Sequence, residues 1–424
     1  MKDKKSKIIL GVVIAITLVI SFTSGFFTHY FTMGRTNRLL GEITSIISNN
    51  AVDPDGNELD LSSENIAKTL VNGLLKNDDY AHYFSNTEYE EVIDEGEGKF
   101  SGLGVSLYAS EPIIYSVIGN SPAFKVGLKA NDKILRAKRT IEENFVSFSN
   151  TDQLITFIDS LERGEEIDLV VERYGQEFPF SLSKEYYIAS YVEYFDSSST
   201  LRFSSNYGEK PKQSVSYDRE PLGLDGDTAM IVFSAFEGNS ASEIGQCMKY
   251  FYSQGKSKLI LDLRGNGGGY MDCLIEVASY FINNHGKTKN LITRVQAKDG
   301  YAEYKTRANN FDDRLKNIVV LADENTASAS ECLIGAMLYY GDGNFSMDNL
   351  VVEYNLQREN YSTYGKGIMQ TTYPLLNGGA IKLTTARLYQ PDLVTCIHNK
   401  GITQTNPLNQ ANGNAMSRAL EILG

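Results

Sequence analysis

The sequence has few of the residues that build the commonest metal and redox sites. Only four histidines and four cysteines occur among its 424 residues. The cysteines are widely spaced and form no C-x-x-C pair, which predicts small core residues rather than a zinc site or a disulfide framework. No H-E-x-x-H and no G-x-S-x-G motif is present, so a histidine-based metalloprotease and an α/β-hydrolase have little support. We expect no metal and no organic cofactor.

Positive charge is also scarce. The net charge is −13 and the isoelectric point is near 5.0, which argues against nucleic acid as the main partner. Hydrophobic residues make up 42% and charged residues 22% of the chain, as in an ordinary globular protein. The length allows two or three domains with a sizeable core.

The N-terminal segment, which we place at 1–35, has the composition of a membrane anchor. Residues 8–27 are uncharged and largely apolar, and four lysines precede them. At 1.5 Å per residue such a helix reaches across about 30 Å, the thickness of a bilayer core. The lysines favour a cytoplasmic N-terminus, so we expect a single-pass cell-membrane protein with everything after Tyr30 outside the cytoplasm. A cleaved signal peptide is the competing interpretation, but the run is long and no A-x-A site follows.

Two helices are predicted in the next segment, 36–96. Apolar residues recur at helical spacing between Arg38 and Ser48, and again between Ile66 and Leu75 after a start near Ser62 or Ser63. These stripes fit a homo-oligomer held together by the helices. Packing of the stripes within their own domain explains them at least as well.

Between residues 97 and 186 the pattern changes to short strands joined by glycine turns. The turn Gly102-Leu103-Gly104-Val105 is followed by Ser-Pro-Ala at 121–123, Gly-Leu at 127–128, Asp-x-Ile-Leu at 132–135, a helix at about 151–161 and a strand at 167–173. This succession resembles a PDZ domain of the bacterial type. There, backbone N–H groups of the Gly102–Val105 turn would bind a peptide's C-terminal carboxylate, and the peptide would add as a strand. A small β-domain without a ligand is the alternative.

The last segment, 187–424, alternates strands and helices. Buried strands are predicted at 229–233 and 258–264, with helices at 241–252 and 272–282, which indicates an α/β core. A polar stretch at 197–225 is expected to form an exposed loop or hairpin. After the second strand comes Gly265-Asn266-Gly267-Gly268-Gly269, which lacks the order of a nucleotide-binding loop. It predicts a tight turn, or a turn that also aims bare N–H groups into a site.

A strand–turn–helix pattern surrounds Asn325–Glu331. A β-branched apolar run at 315–322 precedes the small-residue turn, and residues 332–340 continue with helical spacing. A serine in that turn lies beside unpaired N–H groups at the positive end of the helix dipole, which suits acyl transfer. The simpler interpretation is that Ser328 or Ser330 caps the helix, with Glu331 in its first turn.

A lysine between two glycines, Lys366, offers a base for such a serine. Gln370 follows four positions later, on the same face of either a strand or a helix. A neutral lysine serves as base in Ser–Lys dyads once burial lowers its pKa from about 10.4 towards roughly 7–8. A solvated loop lysine is the alternative.

The order of anchor, helices, PDZ-like segment and core motifs closely resembles the carboxy-terminal processing peptidases, or tail-specific serine proteases. The likeness runs from about Arg38 to Gly424 and includes LDLRGNGGG, NTASASE, TYGKGIMQ and AIKLTTARLYQPD. It implies a PDZ domain beside a crotonase-like α/β peptidase core. It also implies five site residues: the nucleophile Ser328, the base Lys366, its support Gln370, and the oxyanion donors Ala329 and Gly268, with Gly269 the alternative to Gly268.

Some positions depart from that family's pattern. Lys366 follows Ser328 by 38 positions, an interval longer than usual, and we expect the excess, within 344–360, to be a polar loop. Asn131 stands where a glycine is common, and Thr403-Gln404 replaces the usual Pro-Asp. The lead-in to the lysine, Ser362-Thr363-Tyr364, is altered as well. None of these changes removes a catalytic side chain.

These patterns predict a membrane-anchored serine endopeptidase that recognises exposed C-termini of proteins or peptides. Its expected partners are such substrates and the lipid bilayer around residues 8–27. The alternative is a catalytically inactive PDZ-containing binding or scaffold protein of the cell envelope, which the long Ser328–Lys366 interval keeps open. A structural role in envelope assembly is a third interpretation.

Overall fold

The structure is a computed structural model and describes residues 34, 37, 39–49, 60 and 62–424 apart from 109, 199, 204–211, 214–222, 288 and 357. The chain divides into two compact units, 1–83 and 84–424. The predicted membrane anchor at 8–27 lies outside the described residues. None of the helices within the described ranges has both the length and the apolar character needed to cross a bilayer.

Both predicted helices of the first unit are confirmed. Residues 39–49 are helical, and helix α1 spans Ser63–Leu74. Ser62 caps α1, since its hydroxyl accepts a hydrogen bond of 3.2 Å from the N–H of Asn65. A short strand, β1 (His82–Phe84), follows. A homo-oligomer built through these helices stays a prediction.

The segment 97–186 has a hydrophobic core of its own, which runs from Leu103 to Leu182. Helix α2 (Asn86–Gly96) precedes it, and Ser85 and Glu88 form a reciprocal capping box at its start. The elements that follow are β2 (Lys99–Gly102), β3 (Val105–Leu107), β4 (Ile114–Val117), α3 (Pro122–Val126), β5 (Lys133–Arg139), β6 (Val146–Ser147), α4 (Thr151–Asp159), β7 (Glu166–Arg173), β8 (Gln176–Ser183) and β9 (Glu185–Ile188).

The structure explains the identity of two residues in or beside the predicted PDZ-like motifs. Asp132 is fully buried and pairs with Arg173 at 2.6 Å, so the motif's carboxylate anchors β5 to β7. Asn131 adopts φ 70°, in the left-handed region that favours glycine. Asparagine tolerates this region better than most residues, which explains how it stands where a glycine is common.

An eight-stranded sheet forms the core of the second half of the chain. Its strands are β10 (Val192–Phe195), β11 (Thr200–Arg202), β12 (Lys212–Gln213), β13 (Thr228–Phe233), β14 (Lys258–Asp262), β17 (Asn317–Ala322), β18 (Leu350–Glu353) and β21 (Gln410–Ala411). They lie side by side in the order β12-β11-β10-β13-β14-β17-β18-β21, and the last five of this order are parallel. Because β11 and β12 pair antiparallel, the hairpin expected within 197–225 is present in its described part.

Helices cover both faces of this sheet. The helices are α5 (Ser240–Ser253), α6 (Met271–Phe281), α7 (Ala329–Tyr340) and α8 (Ala415–Leu423). Ile318 and Val320 face the cluster that contains α5, α6 and α7, while Val319 and Leu321 face the cluster with α8. Successive side chains of β17 point to opposite faces of the sheet and are buried on both, as expected for a central parallel strand.

The interval 344–360, within which a polar loop was expected, is not a loop throughout. Leu350–Glu353 is β18, and its residues Leu350, Val351 and Val352 are fully buried. A short β-branched run of this kind gains more from burial than from solvation. Gln404, one of the departures from the family pattern, is also fully buried and donates to the carbonyls of Met347 and Leu350. Gln404 therefore stabilises the chain within the long interval between Ser328 and Lys366, so one departure from the family pattern holds the other in place.

A second, antiparallel sheet carries the lysine side of the site. It contains β16 (Gly300–Lys305), β15 (Leu291–Ala297), β20 (Ala380–Tyr389) and β19 (Ile368–Pro374), each paired with the next. The register of β19 against β20 shifts between Met369 and Gln370, which marks a bulge. Short 3₁₀ turns occur at Asp342–Asn344, Met347–Asn349 and Pro407–Asn409.

Candidate active site

Two turns meet at the carboxyl edge of the parallel sheet. Strands β14 and β17 are neighbours, so the turns that follow them, 265–269 and 325–331, leave the sheet side by side. The N–H of Ala327 and the hydroxyl of Ser330 both donate to the carbonyl of Asn266, each at 3.0 Å. Ser330 is therefore a buried tie between the turns, while Ser328 is only half-buried.

Ser328 has the backbone of a strained turn. Its φ is 57° and its ψ is −113°, which is unusual for a residue with a side chain. It is the N-cap residue of α7, so both sequence interpretations of this turn, helix start and reactive serine, fall on the same residue. Strain of this kind is common at functional sites, where the surrounding structure holds it in place.

The glycine turn lies directly against Ser328. A Cβ on Gly268 would come within 2.8 Å of the Ala329 nitrogen and of the Ser328 Cβ, so only glycine fits there. Ala329 is the first residue of α7, where the N–H has no partner inside the helix. The N–H of Gly268 donates to the side-chain oxygen of Asn266 at 3.0 Å, so this donor is already engaged. Its use for an oxyanion stays a prediction.

One buried carboxylate joins the serine turn to the lysine loop. Glu331 is fully buried and accepts four hydrogen bonds. Its Oε2 accepts from the N–H groups of Ser328 and Lys366, each at 2.9 Å. Its Oε1 accepts from the Thr363 hydroxyl at 2.5 Å and from the Gly365 N–H at 2.8 Å. The backbones of Ser328 and Lys366 thus share a single oxygen atom, despite the long interval between them in sequence.

The glycines beside Lys366 allow a close approach of the chain that follows β20. A Cβ on Gly365 would lie 2.7 Å from the Gly401 nitrogen, and one on Gly367 would lie 2.5 Å from the His398 nitrogen. The loop is held there because the N–H of Asn399 donates to the Gly365 carbonyl at 2.8 Å. The glycines therefore serve packing of the lysine loop.

Burial lowers the pKa of the Lys366 amine, and the nearby charge of Lys382 lowers it further, while Glu331 opposes the shift. Burial also raises the pKa of the Glu331 carboxyl, against the effect of its four hydrogen bonds. Gln370 lies on β19 with its side-chain nitrogen buried and without a hydrogen-bond partner in the described part of the chain. Its predicted support of Lys366 stays a prediction.

The sequence alone did not reveal the structural roles of Glu331 and Asn266 in this site. The Ser-x-x-Glu spacing indicates a capping pair, but its local pattern does not show that the carboxylate also binds a loop at 363–366. Thr363, in the altered lead-in, supplies one of those bonds. Asn266 orders the glycine turn, since its side chain donates to the Phe233 carbonyl at 2.8 Å.

A known peptidase family matches two parts of this chain. Residues 227–344 and 360–407 match the model of peptidase family S41. The matched parts contain both the serine turn and the lysine loop. Strand β18 lies in the gap between the two matched parts.

Individual relatives are similar over most of the chain. A probable CtpA-like serine protease from Staphylococcus saprophyticus is 24% identical over 403 residues, which are 93% of this chain and 71% of that protein. A protein of the same name from Staphylococcus aureus is 24% identical over 345 residues, 80% of this chain and 60% of its own length. Among solved structures, the photosystem II D1 C-terminal processing protease has a TM-score of 0.50 at 18% identity, with 86% of both chains covered. At that identity the likeness is one of fold.

Replacing the bridging carboxylate should disrupt the site. In Glu331→Gln one oxygen becomes an NH₂ group that faces backbone N–H donors, so we expect a loss of about 2–4 kcal/mol in unfolding free energy. Peptidase activity should fall by roughly a hundredfold or more, because the serine and lysine turns separate. Denaturant unfolding and a cleavage assay measure both. Glu421→Gln, the same change on an exposed residue of α8, is the matched control, and equal behaviour of the two variants would contradict the bridging role.

Proposed function

We propose that the chain is a serine-type peptidase of family S41, a membrane-anchored endopeptidase that cleaves proteins recognised by their C-terminal tails with a Ser328–Lys366 dyad. The observation that carries the dyad is the shared oxygen of Glu331, which accepts from the N–H groups of both residues at 2.9 Å. A carboxylate buried at this junction holds the serine turn and the lysine loop at a fixed distance from each other.

In the proposed first step, the Ser328 hydroxyl attacks the carbonyl carbon of a peptide bond as the Lys366 amine takes its proton. The tetrahedral intermediate collapses to an acyl-serine ester, and the leaving amine receives the proton from the Lys366 ammonium. Water, deprotonated by the neutral Lys366, then hydrolyses the ester and regenerates Ser328. Gln370 on β19 is the proposed support of the lysine amine.

The negative oxygen of the intermediate needs donors beside Ser328. The Ala329 N–H at the start of α7 is one, and it lies at the positive end of the helix dipole. The glycine turn supplies the second. Gly268 fits this role once Asn266 releases its N–H, and Gly269 is the alternative donor.

Lysine must be neutral to act as base, and its surroundings support this. The pKa of Lys366 is lowered mainly by burial. Desolvation disfavours the ammonium form, because a charge loses more solvation than an amine does. The free amine is therefore available at lower pH than in an exposed lysine.

The PDZ-like segment offers a place for a substrate tail. Within the described part of the chain, the N–H groups of Leu103 and Gly104 make no hydrogen bond, while their carbonyls accept from Ala123 and Ile118. Strand β3 pairs only with β4 among the described strands, so its other edge is open to an added strand. We assign the tail carboxylate to the turn Gly102–Val105 on this basis.

This tail site adjoins the glycine turn of the peptidase core. Tyr115, on β4, places its hydroxyl 3.5 Å from the Cβ position of Gly265. Burial and nearby carboxylates raise the pKa of Tyr115 to about 12, so the hydroxyl stays protonated. A tail bound along β3 would therefore lie one strand away from the catalytic turns.

Membrane attachment rests on the sequence of residues 8–27 alone. Four lysines before the apolar run favour a cytoplasmic N-terminus, and so a peptidase core outside the cytoplasm. A catalytically inactive scaffold is the second candidate function. The long interval between Ser328 and Lys366 favoured it, but the interval is occupied by β18 and leaves the two turns joined through Glu331.

A tail-cleavage assay separates enzyme from scaffold. The purified full chain in detergent is incubated with an unstructured protein that ends in apolar residues, and with the same protein ending in charged residues. We expect cleavage of the apolar-tailed protein and none by Ser328→Ala, because the alanine variant has no nucleophile. Ser328→Ala should still bind the tail, measured by fluorescence anisotropy. Tail binding by the unmodified chain without any cleavage would instead establish the scaffold.

The base is tested by Lys366→Met, which keeps the stem and removes the amine. We expect turnover to be lost while tail binding persists, with Lys249→Met, an exposed lysine of α5, as control. In the unmodified enzyme kcat/KM should fall as pH decreases through the lowered pKa of Lys366, because the ammonium cannot accept a proton. Full activity of Lys366→Met would show that another group is the base.

A further inference from the structure

The chain that follows β18 makes contacts on both sides of the candidate site. On the serine side, the N–H of Leu356 donates to the Glu324 carboxylate at 2.9 Å, just before the serine turn. On the lysine side, the Arg358 guanidinium donates to the Tyr364 carbonyl at 2.5 Å and to the Asn399 carbonyl at 2.7 Å. Arg358 therefore connects this segment to the lysine loop and to the chain that follows β20.

The turn that carries Arg358 is held in place by its own hydrogen bonds. Asn355 is buried, and its N–H donates to the Asn360 carbonyl at 2.7 Å. Its side chain accepts from the Arg358 N–H at 3.0 Å and donates to the Ser362 carbonyl at 3.1 Å. The backbone from which the guanidinium extends is thus fixed. The two bonds made by the guanidinium can therefore fix the carbonyls that accept them.

The lysine loop has room for this guanidinium because residue 365 is a glycine. A Cβ on Gly365 would lie 2.8 Å from the Arg358 Nη2 atom. Gly365 also adopts φ 86°, in the region that favours glycine. Its own carbonyl accepts from the N–H of Asn399. The guanidinium therefore binds where the lysine loop packs against residue 399, and Lys366 is the next residue after Gly365.

An arginine suits this position better than a lysine would. The guanidinium is planar, stays charged at every pH used for enzyme assays and has several donors in a fixed fork. Hydrogen bonds from a charged donor are stronger than those between neutral groups. Arg358 lies between the two parts of the chain, 227–344 and 360–407, that match the family. Its role is therefore a property of this chain's own interval between Ser328 and Lys366.

We propose that Arg358 is a positioning residue of the dyad: its guanidinium bridges the Tyr364 and Asn399 carbonyls and so holds the loop that brings Lys366 to Ser328. This inference rests on the proposed role of Lys366 as base. Arg358 acts through the backbone of the loop. Its side chain is half-buried, so water can replace it on the two carbonyls and its loss should cost little stability. The loss should instead appear in the geometry of the reacting groups.

The first test is the steady-state kinetics of the full chain in detergent, with the apolar-tailed protein as substrate. Arg358→Met keeps most of the stem and removes the guanidinium. We expect its kcat to fall roughly tenfold or more, with KM changed by less than about twofold, because the dyad is misplaced while tail binding is unaffected. Arg358→Lys keeps the charge but not the fork, so most of the loss should remain. Arg314→Met, an exposed arginine before β17 at the opposite edge of the sheet, is the control and should match the unmodified chain.

The pH profile separates positioning from an effect of charge. Burial, Lys382 and Glu331 shift the pKa of Lys366, and Arg358 is not among these influences. In Arg358→Met we therefore expect a lower plateau of kcat/KM with its acidic limb unmoved. A limb displaced to higher pH with an unchanged plateau would show an electrostatic role and overturn the inference.

Chemical rescue tests the bridge itself. Arg358→Ala leaves space for a free guanidinium ion between the two carbonyls. Guanidinium chloride at millimolar concentration should restore part of kcat in a saturable manner, while urea at the same concentration should not. The unmodified chain should not respond to either compound. Equal responses to guanidinium and urea would contradict a bridging cation.

The remaining outcomes also decide the matter. An unchanged kcat in Arg358→Met, or full activity in Arg358→Lys, overturns the inference, and so does a raised KM at unchanged kcat, which would indicate substrate binding. If Arg358→Met is unfolded by circular dichroism, the guanidinium rescue of Arg358→Ala decides. An unmodified chain that never cleaves its substrate would overturn the proposed function instead. Ser328-dependent cleavage with unaltered kcat in Arg358→Met would overturn only the role of Arg358.

Discussion

The site depends on one buried carboxylate. Glu331 lies in the first turn of helix α7, yet three of its four hydrogen bonds come from the loop at 363–366. A buried carboxylate must satisfy its lone pairs, and here all four partners are donors, so removing any of them leaves a charge unsolvated. This requirement holds the turn that carries Ser328 against the loop that carries Lys366. The geometry of the proposed dyad thus follows from a solvation constraint on a residue outside the proposed reaction.

The departures from the family pattern are consistent with that constraint. Strand β18, between Ser328 and Lys366, extends the parallel sheet beside β17. The side chain of Gln404 donates to carbonyls at and just before the start of this strand, and its own N–H donates to the Tyr361 carbonyl at 2.8 Å. Strand β18 is therefore connected to the segment that delivers Thr363 to Glu331. The long interval between Ser328 and Lys366 thus leaves the junction of the two turns intact.

Local pattern predicts the elements of this chain well and their long-range polar contacts poorly. The helices at 39–49 and Ser63–Leu74, the central strands and the serine turn all carry periodic or turn-forming residues, and the structure has them where the pattern indicates. Strand β18 was missed because Leu350–Glu353 is short and lies between polar stretches. The bridging role of Glu331 was missed because three of its four partners are more than thirty positions away in sequence. The hydrogen bond from Gly268 to Asn266 is local, but no periodicity indicates it. Side-chain hydrogen bonds between distant turns depend on the packed fold, which spacing alone does not specify.

The most direct test of the account is covalent labelling of the nucleophile. The full chain is treated with a fluorophosphonate, which reacts with activated serines, and the modified residue is located by peptide mass spectrometry. The account predicts a single adduct on Ser328 whose rate of formation collapses in Lys366→Met, since the serine is activated only when the two turns are joined and the amine is present. Labelling of a different serine, or equal labelling of Ser328 in Lys366→Met, would contradict it.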